Sequence, residues 1–376
     1  MKRYLDFNAT CPPVETALNA VAQAATEAVG NPSSLHWAGR AARRIVDNSR
    51  DKLAKFVGCE SGSIVFTSGG TEADNIVIHS VLASVQSGRV VCTAIEHPAV
   101  LKPLQHMVEQ GLDVVFVRPD KNGITTAKNM IAAINSDTLL VCMMLVNNES
   151  GAIQPVQEVA EHCRSHGIPM LVDAVQALGK IPIDFQQLGV DFMSLSAHKI
   201  GGIKGVGALL VRRGIKLLEL TPGGGQERGR RSGTENVPGI AAFAAALGEI
   251  NFTSFTSIRD AFEEHLKMQI PEVRILSENT SRVANTSLIV LPGMDGETLL
   301  MQLDLAGFAV ASGSACSSGK REPSHVLMSM GMNESMARSS IRISFGPGNS
   351  IEDAKALVAA LVNSRNRLKG MAGLAV

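Results

Sequence analysis

Asp173 and Lys199 stand where a pair of buried strands would end. The stretch MLVDAVQALGKIPIDFQQLGVDFMSLSAHKIGGIKGVG, Met170–Gly207, holds two short apolar runs. Met170–Val172 stops at Asp173, and Phe192–Leu195 stops at Ser196, His198 and Lys199. Strands of a parallel sheet covered on both faces are near-continuously apolar, and ligands gather beyond their carboxyl ends. A carboxylate able to hold a cationic ring nitrogen and a lysine able to form a Schiff base are the minimum kit for pyridoxal phosphate. An ordinary ion pair between strand ends uses the same two residues.

Other polar groups sit at similar places. The apolar run Ile64–Phe66 leads through Thr67 into SGGTEADN, Ser68–Asn75. A Gly-rich turn between strand and helix offers free backbone N–H groups and the Thr71 hydroxyl to a phosphate; Thr71 as a plain N-cap is the alternative. Glu96-His97-Pro98 and Asn147-Asn148-Glu149 follow further strand-like runs and are pocket-wall candidates. The segment Thr221–Gly239, TPGGGQERGRRSGTENVPG, reads as a flexible basic loop that could carry an arginine or Thr234 to an anion. Arg342 lies inside the strand-like SSIRISFG, where a guanidinium either pairs structurally or grips a carboxylate with its bidentate fork. Cys316, in ASGSACSSGKREPS, has only small and polar neighbours and is expected on an exposed loop, where a nucleophilic thiolate is useful. His162 and His166, one helical turn apart beside Cys163, imitate a metal-ligand spacing without a partner to complete it, so no metal site is assigned.

The elements that must position these groups alternate. Strand-like runs at Val90–Thr93, Val114–Val117 and Leu139–Val146 are interleaved with helix-like Ala99–Gln110 and Ala127–Ile134, and helix-like Val14–Val29 and Arg40–Val57 precede them. Such alternation implies a mostly parallel α/β sheet. The helix-like run Ile240–Ile250 ends in a hinge-like Ser254–Ser257, after which shorter units suggest a smaller α+β domain closing with helix-like Ile351–Leu368.

Composition narrows the function class. The chain has 376 residues, ample for more than one domain, and Lys plus Arg balance Asp plus Glu at 35 each, so no net field recruits nucleic acid or an acidic membrane. MKRYLDFNATCPP meets two prolines before any apolar run, which excludes a secretory signal there, and no stretch has the ~18 uninterrupted apolar residues of a membrane span. Six cysteines without a C-x-x-C pair fit reduced thiols, hence a cytoplasmic location.

Ten segments, in order, resemble the cysteine desulfurases, the NifS/IscS-like group of pyridoxal-phosphate enzymes within the class V aminotransferase family: LDFNAT, GNPSSLH, FTSGGTEADN, EHPAV, VNNESG, VDAVQ, SAHK, RSGTEN, SGSAC and SIRISFG. The resemblance implies the α/β transferase fold of type I, with a mostly parallel seven-stranded sheet between helices and a smaller α+β domain. The large domain would span 14–256, and 1–13 with 257–376 would form the small domain carrying the cysteine loop. It implies that Lys199 binds the cofactor covalently, that Asp173 pairs with the pyridine nitrogen, and that Gln176 bonds the ring hydroxyl. His97 would stack on the ring and assist proton transfer. Gly70, Thr71, Ser196 and His198 would hold the phosphate, with Thr234 reaching it from the partner of a homodimer. Asn148 and Arg342 would orient the substrate, Arg342 taking its carboxylate.

Cys316 would then receive sulfur from L-cysteine as a persulfide, releasing L-alanine, and pass it to a sulfur-acceptor protein such as an iron–sulfur scaffold. Selenocysteine lyase and class V aminotransferase activities are rivals on the same fold; a non-catalytic sulfur relay would be expected to have lost Asp173 or Lys199. Ile203 replaces a common proline and Cys11 a common threonine. The chain ends soon after Leu368, where relatives that feed a scaffold often carry a longer docking tail.

Overall fold

The computed structural model describes residues 2–312 and 322–373. Its centre is a seven-stranded sheet with the strands in the spatial order Ile64–Thr67, Gly207–Val211, Phe192–Ser196, Met170–Asp173, Thr138–Cys142, Arg89–Thr93 and Asp113–Val117. Gly207–Val211 runs antiparallel to both neighbours, and the other strands share one direction. The four strands from Ile64–Thr67 to Met170–Asp173 in that order are buried at every position. Helices cover both faces, so each strand has no solvent face to mark with polar residues.

Alternate side chains feed opposite cores. Ala208, Leu210 and Val141 join one apolar cluster with Val46, Val159 and Ile240 from the helices Trp37–Phe56, Val156–Ser165 and Val237–Ala246. Leu209, Val211 and Leu140 join another with Ile76, Val77 and Leu104 from Gly70–Leu82 and Pro98–Glu109. The two-residue period of a strand makes this division.

A third apolar cluster gathers Phe252, Phe262, Ile289, Ile343, Phe345 and Leu357 with Leu5, Phe7 and Cys11. Its framework is an antiparallel four-stranded sheet in the order Ala311–Ser312, Ser340–Ser344, Thr286–Val290, Arg274–Leu276. The amino-terminal residues belong to this cluster: Arg3–Tyr4 pairs in parallel with Phe308–Ala309, and Asp6 bridges to Ser344. Val14 packs against both this cluster and the large-sheet core.

Two elements differ from the sequence-based expectation. The strand read as Leu139–Val146 stops at Cys142: the Met143 and Leu145 N–H groups still reach the Leu171 and Asp173 carbonyls, but on the other side the Met144 N–H turns to the Glu96 carboxylate at 2.6 Å. The helix read as Ile240–Ile250 is Val237–Ala246; Asn236 caps it by accepting from Gly239 N, with Pro238 in the first turn.

Candidate active site

A cavity of about 300 Å³ opens at the carboxyl ends of the central strands. Of the residues expected there, Gly70, Thr71, His97, Asn148, Asp173, Gln176, Ser196, His198, Lys199 and Arg342 all line it. Thr234 does not; it is exposed on the segment after Gly233. Cys316 lies outside the described residues.

One end of the cavity is built to attract an anion. Helix Gly70–Leu82 begins there, and no side chain caps its first N–H groups. Uncapped amides and the positive end of the helix dipole favour a phosphate or carboxylate. Gly70 allows a close approach: a Cβ there would come within 2.6 Å of Val175 Cγ2, and that side chain would have to turn away. Ser196 and His198 adjoin from the end of Phe192–Ser196. Burial pushes the His198 pKa down to about 4, with Lys199 and Lys204 adding repulsion, so its imidazole is neutral at neutral pH, and its Nδ1 lies 3.1 Å from Thr10 Oγ1.

The basic loop after Thr221 is pinned rather than loose. Glu227 is buried and forms a bidentate pair with buried Arg50, at 2.8 and 2.7 Å, while also accepting from Phe66 N at 2.9 Å. Glu227 and Arg228 hold φ of 48° and 63°, a left-handed conformation costly for side chains with a Cβ. Arg231 pairs with Glu72 in the first turn of Gly70–Leu82. The composition of the loop hid this, because its anchor is a partner 177 residues away.

At the far end, Asp173 accepts from Val175 N at 2.9 Å. Burial raises its pKa, while His97, that N–H and Lys199 pull it down. Two further buried carboxyls stand near. Asp74 is raised well above the ordinary range by burial and by Asp173, and burial lifts Glu96 to about 8. Glu96 is therefore protonated at neutral pH, and Asp74 and Asp173, both pushed up by burial, resist carrying charge together, so a cationic group placed against Asp173 would favour its ionised form. His97 caps helix Pro98–Glu109: its Nδ1 accepts from Ala99 N at 3.1 Å, so the neutral ring carries its proton on Nε2. Burial lowers the His97 pKa.

Lys199 Nζ donates to the carbonyls of Asn8 and Ala9, at 2.7 and 2.8 Å. Arg342 is buried in its strand and donates to Asp6 Oδ1 at 2.7 Å and to the Asn148 carbonyl at 3.1 Å. Arg342 Nε and Asn148 Oδ1 are buried without a hydrogen-bond partner, and both residues face the cavity. A guanidinium beside an amide oxygen suits a ligand bearing a carboxylate and an N–H donor.

The class-V aminotransferase profile matches residues 3–357. The chain belongs to the class-V aminotransferase family. Among class-V relatives, the cysteine desulfurase IscS of Methanosarcina thermophila is 38% identical, with 99% of this chain and 94% of that protein aligned. The putative cysteine desulfurase IscS 1 of Bacillus subtilis is 40% identical over 94% of this chain and 95% of its own. Among solved structures, a NifS-like protein superposes with a TM-score of 0.89 at 33% identity, covering 96% of this chain and 99% of its own. The NifS-like protein of Rickettsia africae gives 0.88 at 31%, covering 97% and 100%.

Several residues around this class-V site carry no sequence-based assignment. Asn8, Asp74 and Lys180 are buried at or behind the cavity, and Asp6 holds Arg342. A signal existed for two of them: Leu5 and Phe7 alternate with Asp6 and Asn8, the pattern of a strand with one apolar face. His162 and His166 stack on each other at 4.2 Å, and no metal-ligand cluster occurs among the described residues. No helix among the described residues is long and apolar enough to cross a membrane.

Proposed function

We propose that the chain is a pyridoxal-phosphate-dependent cysteine desulfurase that takes sulfur from L-cysteine onto Cys316 and releases L-alanine. The observation that carries this reading is one cavity in which an uncapped helix start faces a buried carboxylate, Asp173, with Lys199 between the strand ends and Arg342 on the wall. Those residues fit the cofactor: Gly70, Thr71, Ser196 and His198 suit its phosphate, Asp173 its ring nitrogen, Gln176 its ring hydroxyl and His97 its face. The buried orphan atoms Arg342 Nε and Asn148 Oδ1 suit an amino-acid substrate.

When bound, the cofactor supplies an electron sink for charge developing at the substrate α-carbon. The protein groups do the rest. Arg342 and Asn148 orient the substrate so that its α-proton faces Lys199 Nζ, which removes and returns it in the neutral form. The Cys316 thiolate attacks the substrate sulfur; an S–S bond forms, the C–S bond breaks, and the carbon skeleton departs as alanine after protonation. Thr234 is assigned to the phosphate of the partner subunit in a homodimer, and the persulfide to a sulfur-acceptor protein such as an iron–sulfur scaffold in the cytoplasm. We assign residues 14–256 to the cofactor-binding domain, and 1–13 with 257–376 to the smaller one.

The test is to add pyridoxal phosphate and L-cysteine to the purified protein. A visible band removable by borohydride and equimolar alanine and sulfide in the presence of reductant are expected. Lys199→Ala should abolish the borohydride-fixed adduct. Cys316→Ser should bind cofactor but form no persulfide. A wild-type protein that gains no band refutes the reading.

A further inference from the structure

Lys180 is a fully buried basic side chain near the cavity that the reaction above does not use. Only 2% of its surface is exposed. It follows the strand Met170–Asp173 by one turn-rich segment, and its Nζ lies 5.6 Å from the centre of the Phe252 ring, at the seam with the small-domain core. Desolvating an ammonium is costly, so a lysine is kept in such a place only if its hydrogen bonds are well made. Lys180 Nζ donates to Asn8 Oδ1 at 2.6 Å and to Gln176 Oε1 at 2.6 Å.

These contacts fix the sense of the Gln176 amide. Its Nε2 donates to the Asn8 carbonyl at 2.8 Å, an oxygen that can only accept. Its Oε1 accepts from Lys180 Nζ at 2.6 Å, and the other short contact of that nitrogen, Asn8 Oδ1, takes an N–H as well. Turning the amide over would face carbonyl against carbonyl and N–H against N–H, so one orientation survives. Asn8 is held in turn by Thr286 Oγ1 and Ser344 Oγ, both at 2.9 Å. The Nε2 group has a second N–H, and Gln176 lines the cavity.

We infer that Lys180 is a positioning residue that holds Gln176 as an obligate hydrogen-bond donor toward the ring oxygen of the cofactor. The inference rests on the cofactor assignment above. Burial above all lowers the Lys180 pKa well below its ordinary value, Lys199 and Arg342 add to this and Cys11 opposes it, so the positioning is carried by its hydrogen bonds to Asn8 and Gln176 rather than by its charge. A donor to the ring oxygen stabilises the deprotonated oxygen, so losing its fixed orientation makes that oxygen hold its proton to higher pH.

The experiment titrates the visible band of the cofactor-loaded protein and measures cofactor dissociation constants for wild type, Lys180→Met, Gln176→Ala and the double variant. Lys180→Met should shift the titration upward and weaken cofactor binding about 3- to 10-fold, and Gln176→Ala should do the same. The double variant should resemble Gln176→Ala alone, because Lys180 acts through Gln176. A purely structural lysine would give additive effects, and that result, or a wild-type titration in Lys180→Met, overturns the inference. Should Lys180→Met not fold, Gln176→Ala decides: an unshifted band overturns it, and a shift supports it if Lys180→Gln, which keeps a neutral donor, titrates near wild type. A wild-type protein with no band fails the cofactor assignment instead, so the two failures are distinct.

Discussion

Arg342 shows how one side chain serves both fold and site. Its strand neighbours are apolar and fully buried, yet its guanidinium reaches Asp6 and Asn148, leaving Nε uncommitted. Arg342→Lys keeps a charge but loses the planar fork. We expect kcat/KM for L-cysteine to fall about 10- to 100-fold, on the order of 1.4–2.7 kcal/mol, mainly through KM, with the cofactor band unchanged. An unchanged KM would remove Arg342 from substrate binding. Glu96 makes a prediction about pH. Its pKa is about 8 in the fold against an ordinary 4.5, so the native state binds the extra proton between those values. This contribution to stability is complete below about pH 4.5 and is lost as pH rises through about 8. Glu96→Gln, which cannot ionise, should therefore melt close to wild type at pH 5 and several degrees higher at pH 8.5. The same difference in Tm at both pH values would contradict a buried, protonated Glu96. Asp173 and Lys199 were legible because polar residues ending apolar runs stand out locally. Lys180 was not, since it reads as one more lysine until Asn8, 172 positions away, is brought to it.

At the scale of elements, the anion-binding end depends on how closely two backbones approach. Gly207 opens the antiparallel strand, and a Cβ there would lie 2.6 Å from Gly69 Cα and 2.5 Å from the Leu195 carbonyl. Neither is a flexible side-chain tip, so the strands must move apart. Gly207→Ala should lower Tm by several degrees, through a cost of about 1–3 kcal/mol, and weaken cofactor and inorganic phosphate binding together. A stable variant with normal phosphate affinity would show that the helix start tolerates displacement. The strands themselves were readable as short apolar runs, and so was their alternation with helices. The antiparallel direction of Gly207–Val211 was not, because a fully buried strand has the same residue pattern in either direction.

The whole molecule joins distant stretches of chain around one cavity, and Thr234 lies away from its own chain's cavity. The trans assignment predicts complementation. In a heterodimer of Lys199→Ala with Thr234→Ala chains, one site receives both defects and the other neither. Cofactor titration of the purified heterodimer should find half the sites at wild-type affinity. If every site is weakened, Thr234 acts within its own chain; a Thr234→Ala homodimer that binds the cofactor like wild type would take Thr234 off the phosphate. What the sequence cannot carry at this scale has a physical reason: the alternation of Leu5 and Phe7 with Asp6 and Asn8 marks one apolar face but not the core that receives it, and in the fold only Arg3–Tyr4 of this stretch is a strand, followed by a single bridge at Asp6 and a turn.

The amino-terminal segment also sets a time. Asn8 holds Lys199 and Gln176 by its carbonyl and is itself held by Ser344, 336 residues later. At roughly 5–20 residues per second of translation, Asn8 waits about 20–70 s for that anchor to be made. A nascent chain whose helices and central sheet have already formed still lacks this wall. Capture of the cofactor in its final geometry is therefore an event that follows emergence of Ser344 from the ribosome.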